Sequence, residues 1–202
     1  MKVELVRING HWRDIVDMAS ISHDNEGKIK DYKKLLHNLY KWGHMEPFEF
    51  MDFVWKLEIP IFLQRQLLRH RMSSRVERSM RYVELKPSLD DVFIPKDIEK
   101  PKEMVYKQAY WSTFEAYDKL IKSGVPKEQA RAVLPLGLNT KMFVKFNARS
   151  FDNFLKLRLD KHAQPEMQQL ARLMLSSLAF NDATVELFNL WWTKYVVKEG
   201  LK

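Results

Sequence analysis

Cysteine is absent from all 202 residues of the chain. Disulfide bonds, thiolate metal sites and cysteine nucleophiles are therefore excluded. The absence also favours a reducing compartment over an oxidising one. Glycine is scarce as well, with six residues, and no Gly-rich turn follows a predicted strand. Neither a Rossmann dinucleotide fingerprint nor a phosphate-binding P-loop is present.

Long apolar runs are also missing. No uninterrupted apolar segment approaches the ~20 residues of a membrane span, and the N-terminal stretch MKVELVRING lacks the apolar core of a signal peptide. We therefore expect a soluble, cytoplasmic protein without a membrane partner. Positive charge, in contrast, is abundant, since 34 Lys and Arg against 26 Asp and Glu give a net charge of +8. This excess favours anionic partners such as nucleotides, nucleic acids or carboxylated cofactors.

Hydrophobic periodicity predicts strands interspersed among longer helices, which is an α+β pattern, and no linker divides the chain, so one domain over residues 1–202 is expected. The predicted strands are KVELVRI, SMRYVEL and TKMFVKFNA, at 2–8, 79–85 and 140–148. The predicted helices cover 12–22, 24–44, 61–71, 103–122 and 126–135, with two or three more after Arg149. Residues 48–59 fit either a helix or a strand, and 86–101 form a proline-bounded loop.

Aromatic residues recur at helical spacing between Glu103 and Lys122. Such a stripe is typical of a core-facing helix surface and not of a cofactor site. Together with the apolar stretch LFNLWW near the C-terminus, this helix carries more apolar surface than a 202-residue monomer hides. A closed homo-oligomer is therefore expected.

The stretch RHRMSSRVERSMRY, from Arg69 to Tyr82, holds five arginines, one histidine and one glutamate. A solvated basic face, a nucleic-acid contact and a site for anionic small molecules are all consistent with it. The preceding run IPIFLQRQLL indicates a partly buried helix, on which Gln66, Arg69 and His70 would share one side. Because unpaired buried arginines are costly, an anionic ligand is favoured there.

Ser79 and Arg158 admit two interpretations each. Ser79 is either a nucleophile, which needs a base within hydrogen-bond reach, or a ligand-binding hydroxyl, which we favour. Arg158 and His162 stand four apart on a predicted helix, where an arginine either reaches water with its head or acts in a low-dielectric site. His44 and His70 are not at metal-ligand spacing, so no metal site is expected.

The arginine-rich stretch also matches a family pattern: Arg69-His70-Arg71, seven residues, then Ser79, with Glu77 before the serine and Arg81-Tyr82 after it. Further matches follow in the same order along the chain, namely GHMEPFEF, Gln66, ARAVLP and NARSFDNFLKLRLDKHAQPE. Over roughly residues 10–180 the sequence resembles the flavin-dependent thymidylate synthases. It departs from their pattern at Glu46, where a small hydroxyl residue is usual, and at Val76, where asparagine is usual.

The resemblance implies an antiparallel sheet with long packed helices and an enzyme that methylates dUMP to dTMP. It implies FAD as cofactor, NADPH as reductant, 5,10-methylenetetrahydrofolate as one-carbon donor, and a homotetramer with sites shared between subunits. By resemblance, dUMP would be held by Gln66, Arg69, Glu77, Ser79, Met80, Arg81, Arg131 and Arg158. FAD would be surrounded by His44, Arg69, His70, Arg71, Glu77, Asn147, Arg149, Asn153 and His162. Arg158 is the residue expected to activate the uracil.

Without cysteine, the uracil ring must be activated by donors aimed at its developing charge. The main alternative function is a basic nucleic-acid-binding module, which the aromatics argue against because they fall at core spacing and not beside the arginines. A homologue that binds flavin and nucleotide without turnover is the second alternative, and the departures at Glu46 and Val76 keep it open.

Overall fold

The structure is a computed structural model that describes residues 1–24 and 26–197. Within those ranges it contains four β-strands and eight α-helices. The strands are β1 (Lys2–Asn9), β2 (Asp52–Pro60), β3 (Ser74–Glu77) and β4 (Asn139–Asn147). The helices are α1 (Trp12–Ser20), α2 (Tyr32–Trp42), α3 (Ile61–Leu67), α4 (Lys100–Lys122), α5 (Lys127–Ala130), α6 (Ala148–Arg158), α7 (Pro165–Ser176) and α8 (Val185–Trp192).

The four strands form one antiparallel sheet in the order β1-β2-β4-β3. The α+β prediction is therefore confirmed, as are the first and last predicted strands. The ambiguous segment 48–59 resolves into a short 3₁₀ helix, Glu46–Phe50, followed by β2. In β2, Phe53, Trp55, Leu57 and Ile59 alternate as fully buried residues, which is the period of a strand.

The strand predicted at 79–85 is wrong. The backbone amides of Tyr82 and Val83 both donate to the Ser79 carbonyl, so this segment closes as a turn and its donors are not available to a ladder. The strand that exists is β3, a few residues earlier. Its neighbour Arg78 donates its amide to the Lys141 carbonyl at 2.9 Å and its guanidinium to the Asn139 carbonyl at 3.2 Å.

Several predicted helices are shorter than expected, and of the segment 126–135 only Lys127–Ala130 is α-helical. In the segment 24–44, Asp24 is left-handed with a φ of 50°, and α2 begins only after Asp31, whose side chain accepts from the Lys34 amide at 2.9 Å. Helix α3 ends at Leu67, so Arg69 and His70 follow it and do not share its side with Gln66. Helix α6 ends at Arg158, so His162 lies beyond it.

The chain divides into two compact units. The first comprises residues 1–2, 57–69 and 76–142. Its core is built on the aromatic stripe of α4, where Tyr110, Phe114 and Tyr117 are buried as predicted. The outer face of α4 stays open, because Met104, Val105 and Trp111 are 69%, 66% and 58% exposed.

The second unit comprises residues 3–56, 70–75 and the chain from 143 onwards. Its core is aromatic: Phe151 lies 4.7 Å from Trp55 and 5.4 Å from Trp191 between ring centroids. Trp191 and Leu187 of the LFNLWW stretch are fully buried here. The expectation that this stretch carries exposed surface therefore fails for these two residues.

Two features are absent from the described part of the chain. None of its helices combines the length and the apolar character needed to cross a membrane. Among its histidine, aspartate and glutamate side chains, no group of three or more is arranged to hold a metal ion.

Candidate active site

Arg158 and His70 form a partly buried polar contact in the second unit. The Nε of Arg158, at the last residue of α6, donates to Nε2 of His70 at 2.8 Å. His70 is 8% exposed and stands edge-on to the ring of Phe154, with centroids 5.0 Å apart. Burial lowers the pKa of His70 to about 4, with the positive charges of Arg158 and Arg75 adding to the effect. Burial also lowers the pKa of Arg158 from its usual value.

Glu77 is the anchored carboxylate of the first unit. Its Oε2 accepts from Gln64 Nε2 at 2.7 Å, and its Oε1 accepts from Thr140 Oγ1 at 2.9 Å. Gln64 and Thr140 are 5% and 1% exposed, so both donors are held rigidly by the core. Both partners of Glu77 in these bonds are neutral, so its negative charge is oriented without being neutralised by them.

Two of the predicted nucleotide-binding arginines converge on Glu128. Arg81 Nε lies 3.3 Å from the Glu128 carboxylate, and Arg131 Nε donates to the Glu128 backbone carbonyl at 3.2 Å. The Arg81 and Glu128 side chains are 54% and 51% exposed. An exposed ion pair of this kind contributes about 0–1 kcal/mol, so an incoming phosphate can compete for Arg81.

The remaining nucleotide-binding candidates of the first unit lie on and after α3. Gln66 is half-buried on the helix, and Arg69 follows it, exposed. Ser79 Oγ accepts from the Arg81 amide at 3.3 Å, a contact with a backbone donor and not with a base. Met80 packs against the buried cluster around Tyr110. The geometry gives Ser79 the surroundings of a binding hydroxyl.

The predicted flavin-binding residues of the second unit are mostly exposed. Arg149 pairs with Glu49 at 2.7 Å, while Arg71, Asn153 and His162 are open to solvent. Asn147 caps α6, because its Oδ1 accepts from the Ser150 amide at 2.8 Å. His162 donates its amide to Asp160 at 2.8 Å, and this bond, ahead of the ring contact of the same histidine, lowers the pKa of Asp160.

His44 lines a cavity of about 610 Å³ in the second unit. Its walls are the ends of α1 and α2 with the loops beside them, and they include Leu35, Leu39 and Trp42 as well as Lys28 and Lys30. The volume is in the range of ordinary ligand sites, which run to about 300–1,000 Å³. Aromatic, aliphatic and cationic groups together suit a ligand with a planar ring and an anionic tail. Glu46 also lines the cavity.

Sequence reasoning missed Gln64, Thr140 and Glu128, and with them the two neutral donors that orient Glu77. One signal was available for Thr140. It occupies an inward position of the alternating strand β4, and a polar residue at such a position needs a hydrogen-bond partner. Gln64 gives no comparable signal, because its burial depends on how α3 packs.

Comparison with known proteins identifies the family of the chain. The family model described as thymidylate synthase complementing protein matches residues 4–180. The flavin-dependent thymidylate synthase of Kosmotoga olearia is 36% identical over 189 residues, covering 84% of this chain and 81% of its own. The enzyme of the same name from Thermotoga neapolitana is 38% identical over 183 residues, covering 84% and 81%. Among solved structures, the UMP/dUMP methylase PolB from Streptomyces cacaoi bound with 5-Br dUMP gives a TM-score of 0.81 at 26% identity, covering 96% of this chain and 95% of that one.

The chain has the fold of PolB, a nucleotide methylase, and this fold defines the class of protein. With the family model and the relatives added, the chain belongs to the flavin-dependent thymidylate synthase family. It is therefore an enzyme and a flavoprotein of dTMP biosynthesis, which favours the enzyme over the nucleic-acid-binding module and over the homologue without turnover.

Proposed function

We propose that the protein methylates dUMP at C5 to give dTMP, with 5,10-methylenetetrahydrofolate as one-carbon donor and NADPH-reduced FAD as hydride source. The observation that carries this proposal is Arg158, a half-buried guanidinium held by a neutral imidazole in a chain that has no cysteine to attack the ring. A cationic donor in a desolvated setting is what pyrimidine activation without a thiolate requires.

The uracil must become nucleophilic at C5. A guanidinium beside the O2 and N3 edge of the ring favours loss of the N3 proton and stabilises the resulting anion. The desolvation that lowers the pKa of Arg158 also strengthens its field at the ring, because less water screens the charge. Arg158 is thus the proposed catalytic residue.

The other nucleotide contacts are proposed from the family pattern and from the chemistry of each side chain. Arginines suit the phosphate, because the guanidinium fork matches phosphate oxygens. The oriented carboxylate of Glu77 and the hydroxyl of Ser79 suit the neutral donors and acceptors of the nucleoside. The proposed dUMP-binding residues besides Arg158 are Gln66, Arg69, Glu77, Ser79, Met80, Arg81 and Arg131.

The residues present fit FAD. The cavity beside His44 combines apolar walls with two lysines, and Arg71 and Arg149 present exposed positive charge in the same unit, as a pyrophosphate requires. When bound, the flavin supplies the hydride of the methylation. The proposed flavin-binding residues are His44, Arg69, His70, Arg71, Glu77, Asn147, Arg149, Asn153 and His162. Glu46 on the cavity wall is expected to weaken binding of the flavin phosphates, since it adds a like charge.

We further propose that residues 1–202 act as one domain, in the cytoplasm, as a homotetramer with sites shared between subunits. The family model supports the single domain because its match runs through both compact units. The open apolar face of α4, formed by Met104, Val105 and Trp111, supports association, because monomers rarely expose such patches.

The test is spectroscopic and catalytic. The purified protein should bind FAD and turn yellow, NADPH should bleach the colour anaerobically, and dTMP should form only when dUMP and 5,10-methylenetetrahydrofolate are both present. Arg7→Ala, at an exposed position of β1, serves as the charge-matched control and should behave as the parent. Retention on heparin with no flavin binding would contradict the proposal and support the nucleic-acid-binding module.

A further inference from the structure

The contact between His70 and Arg158 constrains the state of both side chains. The Nε–H of arginine can only donate, so Nε2 of His70 must be the acceptor across their 2.8 Å separation. A ring that accepts at Nε2 is not the doubly protonated cation. The bond therefore exists only while His70 is neutral.

The surroundings of His70 keep its ring in place. The ring is edge-on to Phe154 with centroids 5.0 Å apart and to Phe146 at 6.4 Å. Its backbone carbonyl accepts from Ser73 Oγ at 2.6 Å. Since Phe154 precedes Arg158 by four residues on α6, that helix presents both the ring that packs His70 and the group that donates to it.

Two cationic groups face His70. Arg158 approaches from α6, and Arg75 of β3 lies 3.5 Å from the His70 carbonyl. Burial and these two charges depress the pKa of the imidazole to about 4. Protonation would place a third positive charge in the same buried setting, which is why the ring stays neutral at physiological pH.

We propose that His70 is a positioning residue for Arg158, whose Nε2 lone pair fixes the plane of the guanidinium without neutralising its charge. A carboxylate in the same position would also orient the arginine, but it would compensate the charge that acts on the uracil. A neutral acceptor orients the guanidinium and does not compensate its charge. The inference rests on the proposed role of Arg158 toward dUMP and goes beyond the flavin contact that the resemblance implies for His70.

Three substitutions of His70 differ in whether they leave a hydrogen-bond acceptor at the place of Nε2. In His70→Gln the side-chain oxygen reaches the place of Nε2, whereas in His70→Asn it reaches only the place of Nδ1. His70→Phe fills the same space without an acceptor. With FAD saturating, dUMP affinity by calorimetry and the rate of dTMP formation should fall roughly ten- to a hundredfold in the Phe and Asn variants, as expected for loss of a hydrogen bond to a charged group. The Gln variant should retain more dUMP affinity and a higher rate than either of them.

The decisive measurement is a double-mutant cycle on the full chain. If His70 acts through Arg158, His70→Phe should weaken dUMP binding in the parent and have no further effect in the Arg158→Ala background. Equal losses in both backgrounds, or equal affinities for the Gln and Phe variants, would overturn the inference. His37→Gln, an exposed histidine on α2, is the matched control, and urea unfolding checks that each variant is folded.

The same experiment separates this inference from the proposed function. If Arg158→Ala binds dUMP as the parent does, the role of Arg158 itself is wrong. If Arg158→Ala loses dUMP and His70→Phe does not, only the positioning role of His70 is wrong.

Discussion

The buried neutral His70 predicts that the fold loses stability in mild acid. In the unfolded chain the imidazole has its ordinary pKa of 6.5, and in the folded protein burial lowers that pKa to about 4. Between these two pH values the unfolded state binds a proton that the folded state does not. Lowering the pH through this window therefore stabilises the unfolded state, and the penalty is complete below the folded pKa.

The size of the effect follows from the same two values. A tenfold difference in proton affinity corresponds to about 1.4 kcal/mol, so a displacement from 6.5 to about 4 amounts to on the order of 3 kcal/mol. Because His70 is only 8% exposed, solvent screening removes little of it. This is a large share of the ~5–15 kcal/mol by which a domain is usually stable.

The assay is urea unfolding at several pH values between 7 and 4.5, followed by tryptophan fluorescence with FAD saturating. Other groups titrate in this window, so the informative quantity is the difference in unfolding free energy between the parent and His70→Gln, which has no imidazole. That difference should move in favour of the Gln variant by about 2–3 kcal/mol as the pH falls. If this difference does not change with pH, His70 is not held neutral by burial in the folded protein.

Four further predictions follow from the other contacts. Arg158→Ala should still bind FAD and be reduced by NADPH, but it should lose about 2–4 kcal/mol of transition-state stabilisation, measured as kcat/KM for dUMP. Arg158→Lys should restore little of this loss, because lysine lacks the planar guanidinium fork. A parental rate in Arg158→Ala would contradict the prediction. Ser79→Ala should weaken dUMP binding in calorimetry and leave measurable turnover. Unchanged binding with no turnover would instead support Ser79 as a nucleophile. Thr140→Val removes a buried donor to Glu77, so dUMP affinity should fall by roughly 1–3 kcal/mol, and an unchanged affinity would show that the orientation of Glu77 is not needed. Trp111→Glu should lower the mass seen by light scattering, and a parental mass near 24.2 kDa would instead show that the chain does not assemble.

Much of the fold could be predicted from local patterns. The four- and three-residue spacing of the α4 aromatics predicted both the helix and its buried face, and the alternation in β4 predicted a strand. The segment SMRYVEL was wrong because alternation alone cannot show that Ser79 closes a turn and captures two amides. Helix ends were also misplaced, because α3 ends at Leu67 and α6 at Arg158, and no proline or glycine in the next four residues marks either end.

The site was predictable in its residue types and not in its contacts. The family pattern selected Arg158, His70 and Glu77, but the partners of these residues are far away in sequence. His70 and Arg158 are 88 positions apart, and Glu77 and Thr140 are 63 apart. The first pair depends on how α6 packs in the second unit and the second on how β3 pairs with β4 in the first, which periodicity does not encode. The depressed pKa of His70 is likewise a property of burial and of a contact made only in the fold.

Within the second unit, the partners of two candidate arginines differ with their burial. Exposed Arg149 pairs with a carboxylate, Glu49, and both side chains are nearly half exposed, so the pair contributes little and yields readily to a phosphate. Half-buried Arg158 is held instead by a neutral imidazole. A buried carboxylate there would bind the guanidinium strongly, cancel its charge and resist displacement. The neutral imidazole therefore orients the guanidinium without itself compensating the charge.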